Sequence, residues 1–131
     1  MRVKVLLTLL VVLGAVVALG ARGEEPISYQ AQLEPIFVAE CGDCHGASRP
    51  KKGLDLSLGK GYATLVDRPA NEIPELLLVK AGDPGASYLW QKLTHTASEG
   101  KGMPRTIFSA KKLPDEQLDL VKRWIEEGAR P

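Results

Sequence analysis

The sequence predicts short helices separated by long irregular loops, on three observations. Apolar residues recur at helical spacing near both ends of the chain, as Leu33, Ile36 and Phe37 and again as Leu118, Val121 and Ile125. Between these stretches, many of the 13 Gly and 9 Pro interrupt any longer pattern. The length of 131 residues suits one small domain with a modest core, a size that often needs help from a cofactor. Aromatic residues make up only 5% of the chain, so the core is not expected to rest mainly on large rings. The 17 basic and 16 acidic side chains nearly balance, and no run of like charge reaches the length of a tail. Neither feature suggests a nucleic-acid partner.

Residues 1–20 are set apart from the fold. Arg2 and Lys4 form a positive start, Val5 to Leu19 is apolar apart from Thr8 and Gly14, and Ala18 and Gly20 are placed for cleavage before Ala21. This pattern predicts a secretory signal peptide, with residues 21–131 as the mature domain. The apolar stretch is shorter than the ~20 residues of a comfortable membrane span. An uncleaved anchor is the alternative, and otherwise no membrane contact is expected. No Cys lies near the cleavage region, which excludes a lipoprotein anchor. Cleavage removes two basic residues and tips the balance to the acidic side. Export also takes the cysteines out of the reducing cytosol, and the expected location is periplasmic.

From Ser28 to about Cys44 the pattern predicts the first helix, with its ordered start near Glu34 and Pro35 in the first turn. Gly53 to Ser57 reads as extended or looped, with Leu54, Leu56 and Leu58 alternating. Gly61 to Val66 suits a short helix, broken by Asp67-Arg68-Pro69. The apolar run Leu76 to Val79 fits a strand or a buried turn equally well. Ser87 to Thr94 predicts another helix, capped by Asp83 or Ser87. Residues 94–106 read as a polar, Gly-rich loop. The last helix is opened by Pro114, has Asp115 and Glu116 at the positive end of its dipole, and is closed by Gly128 at C′. Its stripe of Leu118, Val121 and Ile125, with Trp124 beside it, is a core face.

The only two cysteines stand in Cys41-Gly42-Asp43-Cys44-His45, and this pentapeptide is the pattern of c-type haem attachment. Two thiols separated by two residues can add to the two vinyl groups on one porphyrin edge, and the next residue projects its imidazole under the iron. Cys41, Cys44 and His45 are thus the expected cofactor-binding residues, with His45 a metal ligand. Other readings are weaker. A thioredoxin-like pair sits at a helix start after a strand, and no such strand precedes Cys41. A structural zinc site needs four ligands, and the chain has no further thiol. A plain disulfide would leave His45 without a role.

On these residues the chain resembles the monohaem class I cytochromes c. It is most similar to the small cytochrome c domains that begin with a Pro-Ile-Phe helix and end in a Trp-Ile-x-x-Gly-Ala helix. Here those are Pro35-Ile36-Phe37, leading to Cys41 through Gly46, and Trp124 through Ala129. Gly53-Leu54-Asp55-Leu56, Ala81 through Pro84 with Ser87-Tyr88-Leu89, and Met103-Pro104 look like its intermediate landmarks. The resemblance runs from about Ser28 onward. It implies an all-α class I cytochrome c fold, with short helices and loops around one covalent haem and the first and last helices crossing. It also implies His/Met ligation and an electron-transfer role rather than an enzyme. The family often has Ser or Thr at the last helix's N-cap, where this chain has Pro114.

A pure electron carrier needs a sixth ligand that keeps the iron closed, and a thioether does this while raising the reduction potential. Apart from Met1, the chain has one methionine, Met103, between Gly102 and Pro104 in a polar loop. Core filling, the common use of methionine, fits a site without apolar sequence neighbours poorly, so Met103 is the expected second metal ligand. His95 is the rival, and would give a low-potential bis-His haem. An open distal site for a gas or peroxide is the third reading. Leu54, Leu56, Leu89, Ile107 and Phe108 are candidate pocket walls, though ordinary core positions explain them equally well. Tyr62 and Trp90 are candidate propionate partners through their polar atoms, as are Arg49 and Arg105, for which plain solvation is the simpler reading.

The expected function is a monomeric periplasmic one-electron carrier serving redox partner proteins. The alternative is a haem subunit or a gas or redox sensor with bis-His or labile distal ligation. Lys51, Lys52, Lys101, Lys111 and Lys112 fall in loops and could form a basic ring that steers an acidic partner, though scattered surface lysines account for them nearly as well. No acid–base set suggests catalysis by the protein alone.

Overall fold

The computed structural model describes residues 23–131, so the expected signal segment, residues 1–20, lies outside the described residues. The described chain is helical and holds no strand, only isolated bridges. A π-helical turn, Tyr29–Leu33, runs directly into α1, Glu34–His45. Ser28 caps the turn by accepting from the Ala31 N–H at 3.4 Å. Pro35 sits in the first turn of α1, directly after the π-helical turn, where its fixed φ suits the helix. A short 3₁₀ turn, Lys51–Gly53, follows, and then α2, Gly61–Leu65, α3, Tyr88–Thr94, and α4, Asp115–Glu126.

The sparse aromatic residues do more than their share suggests. Trp124, Tyr29 and Phe37 are the three largest fully buried side chains. Tyr29 stacks on Phe37 with centroids 5.9 Å apart, meets Tyr62 edge-on at 5.7 Å, and leans on Trp124 at 5.4 Å. One ring thus joins the first helix, α2 and α4. Each such buried pair adds about 0.5–1.5 kcal/mol beyond its area. The core as a whole is still mainly aliphatic, as the low aromatic content predicts, with the three rings gathered in one cluster inside it. Leu33, Leu56, Leu65, Val79, Leu93, Val121 and Ile125 complete it.

α4 meets the first helix at its opening turn, Tyr29–Leu33, and packs also against α3. Pro114 stands at its N-cap and no side-chain cap forms; the Pro114 carbonyl accepts from Gln117 and Leu118 instead. At the other end Gly128 takes φ +100, and the Ala129 N–H reaches the Trp124 carbonyl while the Gly128 N–H reaches that of Ile125. This is a Schellman closure, and it needs the positive φ that glycine adopts freely. The tail then ties back to the start of the domain, with Tyr29 N–H on the Arg130 carbonyl at 3.2 Å and Ile27 N–H on Glu127 Oε2 at 2.9 Å.

The apolar run Leu76–Val79 forms neither a strand nor a helix. Leu77 bridges Pro69 and Ser87, and Val79 bridges Val66, each in isolation. Likewise Leu54 to Leu58 forms no strand: Leu56 is buried, whereas Leu58 points to solvent. Neither expected side-chain cap of α3 forms. Ser87 stands at the N-cap but turns its buried hydroxyl to the Asp83 and Lys80 carbonyls, and Asp83 instead accepts from the Ala86 N–H.

Candidate functional site: a cavity at the end of the first helix

Leu33, Phe37, Cys41 and His45 are spaced by four residues, and Cys44 stands three beyond Cys41. They therefore lie along one side of the first helix. Leu33 and Phe37 are buried in the core, and Cys41, Cys44 and His45 line a cavity of about 1160 Å3. That volume exceeds the roughly 300–1,000 Å3 of ordinary small-molecule pockets. Met103 lines the same cavity, so all four expected site residues share one space. Leu54, Leu56, Leu78, Leu89 and Leu93 supply an apolar wall.

The segment after α1 wraps around its end and fixes His45. Nδ1 lies 3.1 Å from the Lys51 carbonyl, and the Leu56 N–H donates to the His45 carbonyl at 2.6 Å. A carbonyl only accepts, so Nδ1 carries the proton and Nε2 keeps its lone pair. Burial lowers the pKa of His45, opposed by its backbone hydrogen bonds, and so favours the neutral imidazole.

Cys41 and Cys44 are both free thiols. Burial, then the nearby Glu40 and Cys44, push the Cys41 thiol up to about 12. A reactive or disulfide-exchanging pair depends on a thiolate near neutral pH, usually in an electropositive setting. Cys41 is shifted the other way, by burial first. Among the described residues, no group of three or more His, Cys, Asp and Glu side chains is gathered for a metal ion.

Met103 is held by its backbone. Its N–H donates to the Lys92 carbonyl at 2.9 Å, and its carbonyl lies 3.2 Å from His95 Nε2. Pro104, after a cis peptide bond, and Arg105 continue the cavity wall. Beyond them the chain doubles back, with Arg105 bridging Ala110, and carries Ile107 and Phe108 at the turn. Ile107 lines the cavity rim, whereas Phe108 is 95% exposed and lines none of it, which corrects its expected place as a pocket wall.

Of the other candidates, Arg105 lines the cavity, and Tyr62, Trp90 and Arg49 do not. Tyr62 is taken up by the Tyr29 ring cluster, and Trp90 packs partly buried against the core. Lys51, Lys52, Lys101 and Lys111 line the cavity and Lys112 lies away from it. Two of these cations are paired, Lys52 with Glu72 at 3.7 Å and Lys111 with Glu40 at 3.5 Å.

The cavity also contains a charged cluster with no counterpart in the sequence reading. The Lys92 side chain is 9% exposed and places Nζ 2.7 Å from Glu72 Oε2, which also accepts from the Tyr88 hydroxyl at 2.8 Å. The Lys92 ammonium lies 5.1 Å from the Tyr88 ring centre. Those hydrogen bonds, Lys92 first, hold the Glu72 carboxyl below its ordinary range. One signal was available: Lys92 falls four residues after Tyr88, on the buried face of α3, where an unpaired cation would be costly. Its partner, twenty residues earlier, had no sequence signal.

Comparison with protein-family models, curated proteins and solved structures finds no match to this chain. Among the described residues, no helix is long and apolar enough to cross a membrane.

Proposed function

We propose that the chain is an exported one-electron carrier of class I cytochrome c type. In this reading Cys41 and Cys44 hold one haem by thioether bonds, His45 is the proximal iron ligand, and Met103 is the distal one. The observation that carries it is the gathering of Cys41, Cys44, His45 and Met103 around one large, apolar-walled cavity. The donor set suits the group. Two thiols and an imidazole stand on one helical face, Nε2 is left with a lone pair by the Nδ1 contact, and a thioether comes from a separate loop.

A bound haem would supply a reversible one-electron change at its iron. The chain's own residues do the rest. His45 would hold its tautomer through Lys51, Met103 would keep the sixth position closed to small ligands, and the five leucines would exclude water. His95 has its Nε2 engaged by the Met103 carbonyl, which favours Met103 over His95 as the distal ligand. The proposed partner is an acidic redox protein docking at the cavity mouth. Lys101 and Arg105 support that choice, because both line the cavity and residues 100–114 carry no acidic side chain.

The test uses the purified, haem-loaded protein. Haem should stay with the polypeptide on denaturation, and do so no longer when Cys41 and Cys44 are both replaced by Ser. The ferric spectrum should show a weak far-red band that disappears in Met103→Ala. Ready binding of carbon monoxide to the reduced wild type at neutral pH would refute the closed-carrier reading.

A further inference from the structure

The residue that ends α3 is His95, and it adopts a left-handed backbone (φ 62, ψ 33) at a position where glycine is commonest. A side chain there is strained, so a helix stop alone does not call for histidine. What the ring adds is contact with the Met103 loop. Nε2 lies 3.2 Å from the Met103 carbonyl and must be the donor, because a carbonyl only accepts. The neighbouring Lys92 carbonyl, in the last turn of the same helix, takes the Met103 N–H at 2.9 Å. Both backbone polar groups of Met103 are therefore held by one helix end. That end is itself anchored, since Lys92 is buried and paired with Glu72. Gly102 completes the fit: a Cβ on it would overlap Cγ and Cδ2 of the His95 ring.

We propose that His95 is a positioning residue that latches the Met103 loop to the end of α3 and so keeps the thioether in place over the iron. The proposal rests on Met103 being the distal ligand. Loss of one such hydrogen bond should shift the closed-to-open ratio of the loop by about 3–10-fold.

Carbon monoxide reaches the reduced iron only when the loop is open, so its binding rate follows the open population. His95→Gly separates a latch from a helix stop, because glycine takes the left-handed backbone without strain and removes only the ring. In the haem-loaded protein, His95→Gly should bind carbon monoxide about 3–10-fold faster than wild type, with its far-ultraviolet helix signal unchanged. Gly102→Ala should give a similar rise with His95 intact. His95→Gln, which keeps an N–H near the position of Nε2, should stay close to wild type.

Wild-type rates in both His95→Gly and Gly102→Ala would overturn the latch. A His95→Gln rate as fast as His95→Gly would overturn the hydrogen bond as its cause. A wild type that already binds carbon monoxide as fast as Met103→Ala would overturn the ligand assignment itself, a distinct result.

Discussion

Gly61 opens α2 and is buried against Tyr29. A Cβ there would overlap the Tyr29 hydroxyl, sit 3.0 Å from the ring carbon that bears it, and lie 3.5 Å from Leu56 Cδ2. Helix propensity alone favours Gly61→Ala by up to about 1 kcal/mol. The tertiary structure opposes it, because Tyr29 is fully buried against Phe37, Tyr62 and Trp124 and has little room to retreat. Overpacking of this kind costs about 1–3 kcal/mol, so a net loss of about 1–2 kcal/mol is expected. In a domain of this size each kcal/mol lowers the melting midpoint by about 4–8 °C. Tyr29→Phe removes the obstructing oxygen, a buried hydroxyl with no hydrogen-bond partner among the described residues, whose pKa is raised by burial and then by Glu34 and Cys41. That substitution should be neutral or stabilising by about 1 kcal/mol. The double variant should recover most of the Gly61→Ala loss, giving a coupling of about 1 kcal/mol. Thermal and guanidinium unfolding of the four proteins measures the cycle. If Gly61→Ala raises stability equally in both backgrounds, propensity rules and the packing argument is wrong.

Two further outcomes follow from the charges around the cavity. Glu72→Gln leaves Lys92 buried without its counter-charge and should cost about 2–3 kcal/mol at neutral pH. Because the folded carboxyl titrates below its ordinary value of 4.5, its contribution is full above that pH and is lost as pH falls through the folded value. The stability curve of Glu72→Gln should therefore be flatter below pH 4.5 than the wild-type curve, and equal slopes would contradict the pairing. Electron transfer to an acidic partner should slow as ionic strength rises, and the dependence should weaken when Lys101 and Arg105 are both replaced by Glu. A flat wild-type dependence would remove the docking role of residues 100–114.

Much of the local structure was legible because it depends on local chemistry. Pro35 marks the start of α1, Gly128 its counterpart at the end of α4, and both act through their own backbone. The segments left open or misread are those whose state depends on distant partners. Leu76–Val79 suits a strand or a buried turn equally by sequence; it lies between residues 65–70 and Tyr88-Leu89, and bonds to both, but its bridges mix parallel and antiparallel pairing and so never build a ladder. Ser87 has cap chemistry, but it is buried where the Asp83 and Lys80 carbonyls claim its hydroxyl. Phe108 suits a pocket wall or an ordinary core position equally by sequence and takes neither; the turn between Arg105 and Ala110 sends it outward.

The sequence by itself determined the Cys-x-x-Cys-His pattern and its placement on the first helix. Cys41, Cys44 and His45 fall on one helical face because three- and four-residue spacings do so in any α-helix. Met103 could be singled out only by elimination, since a loop methionine carries no periodicity. Tertiary structure alone brought it to the same cavity as His45 and paired its backbone with Lys92 and His95. It also decided the place of Lys92, whose burial requires Glu72 from a different segment. The physical reason is the same in each case: helical faces follow from spacing along the chain, whereas hydrogen bonds and ion pairs between distant segments exist only once the core has set those segments side by side.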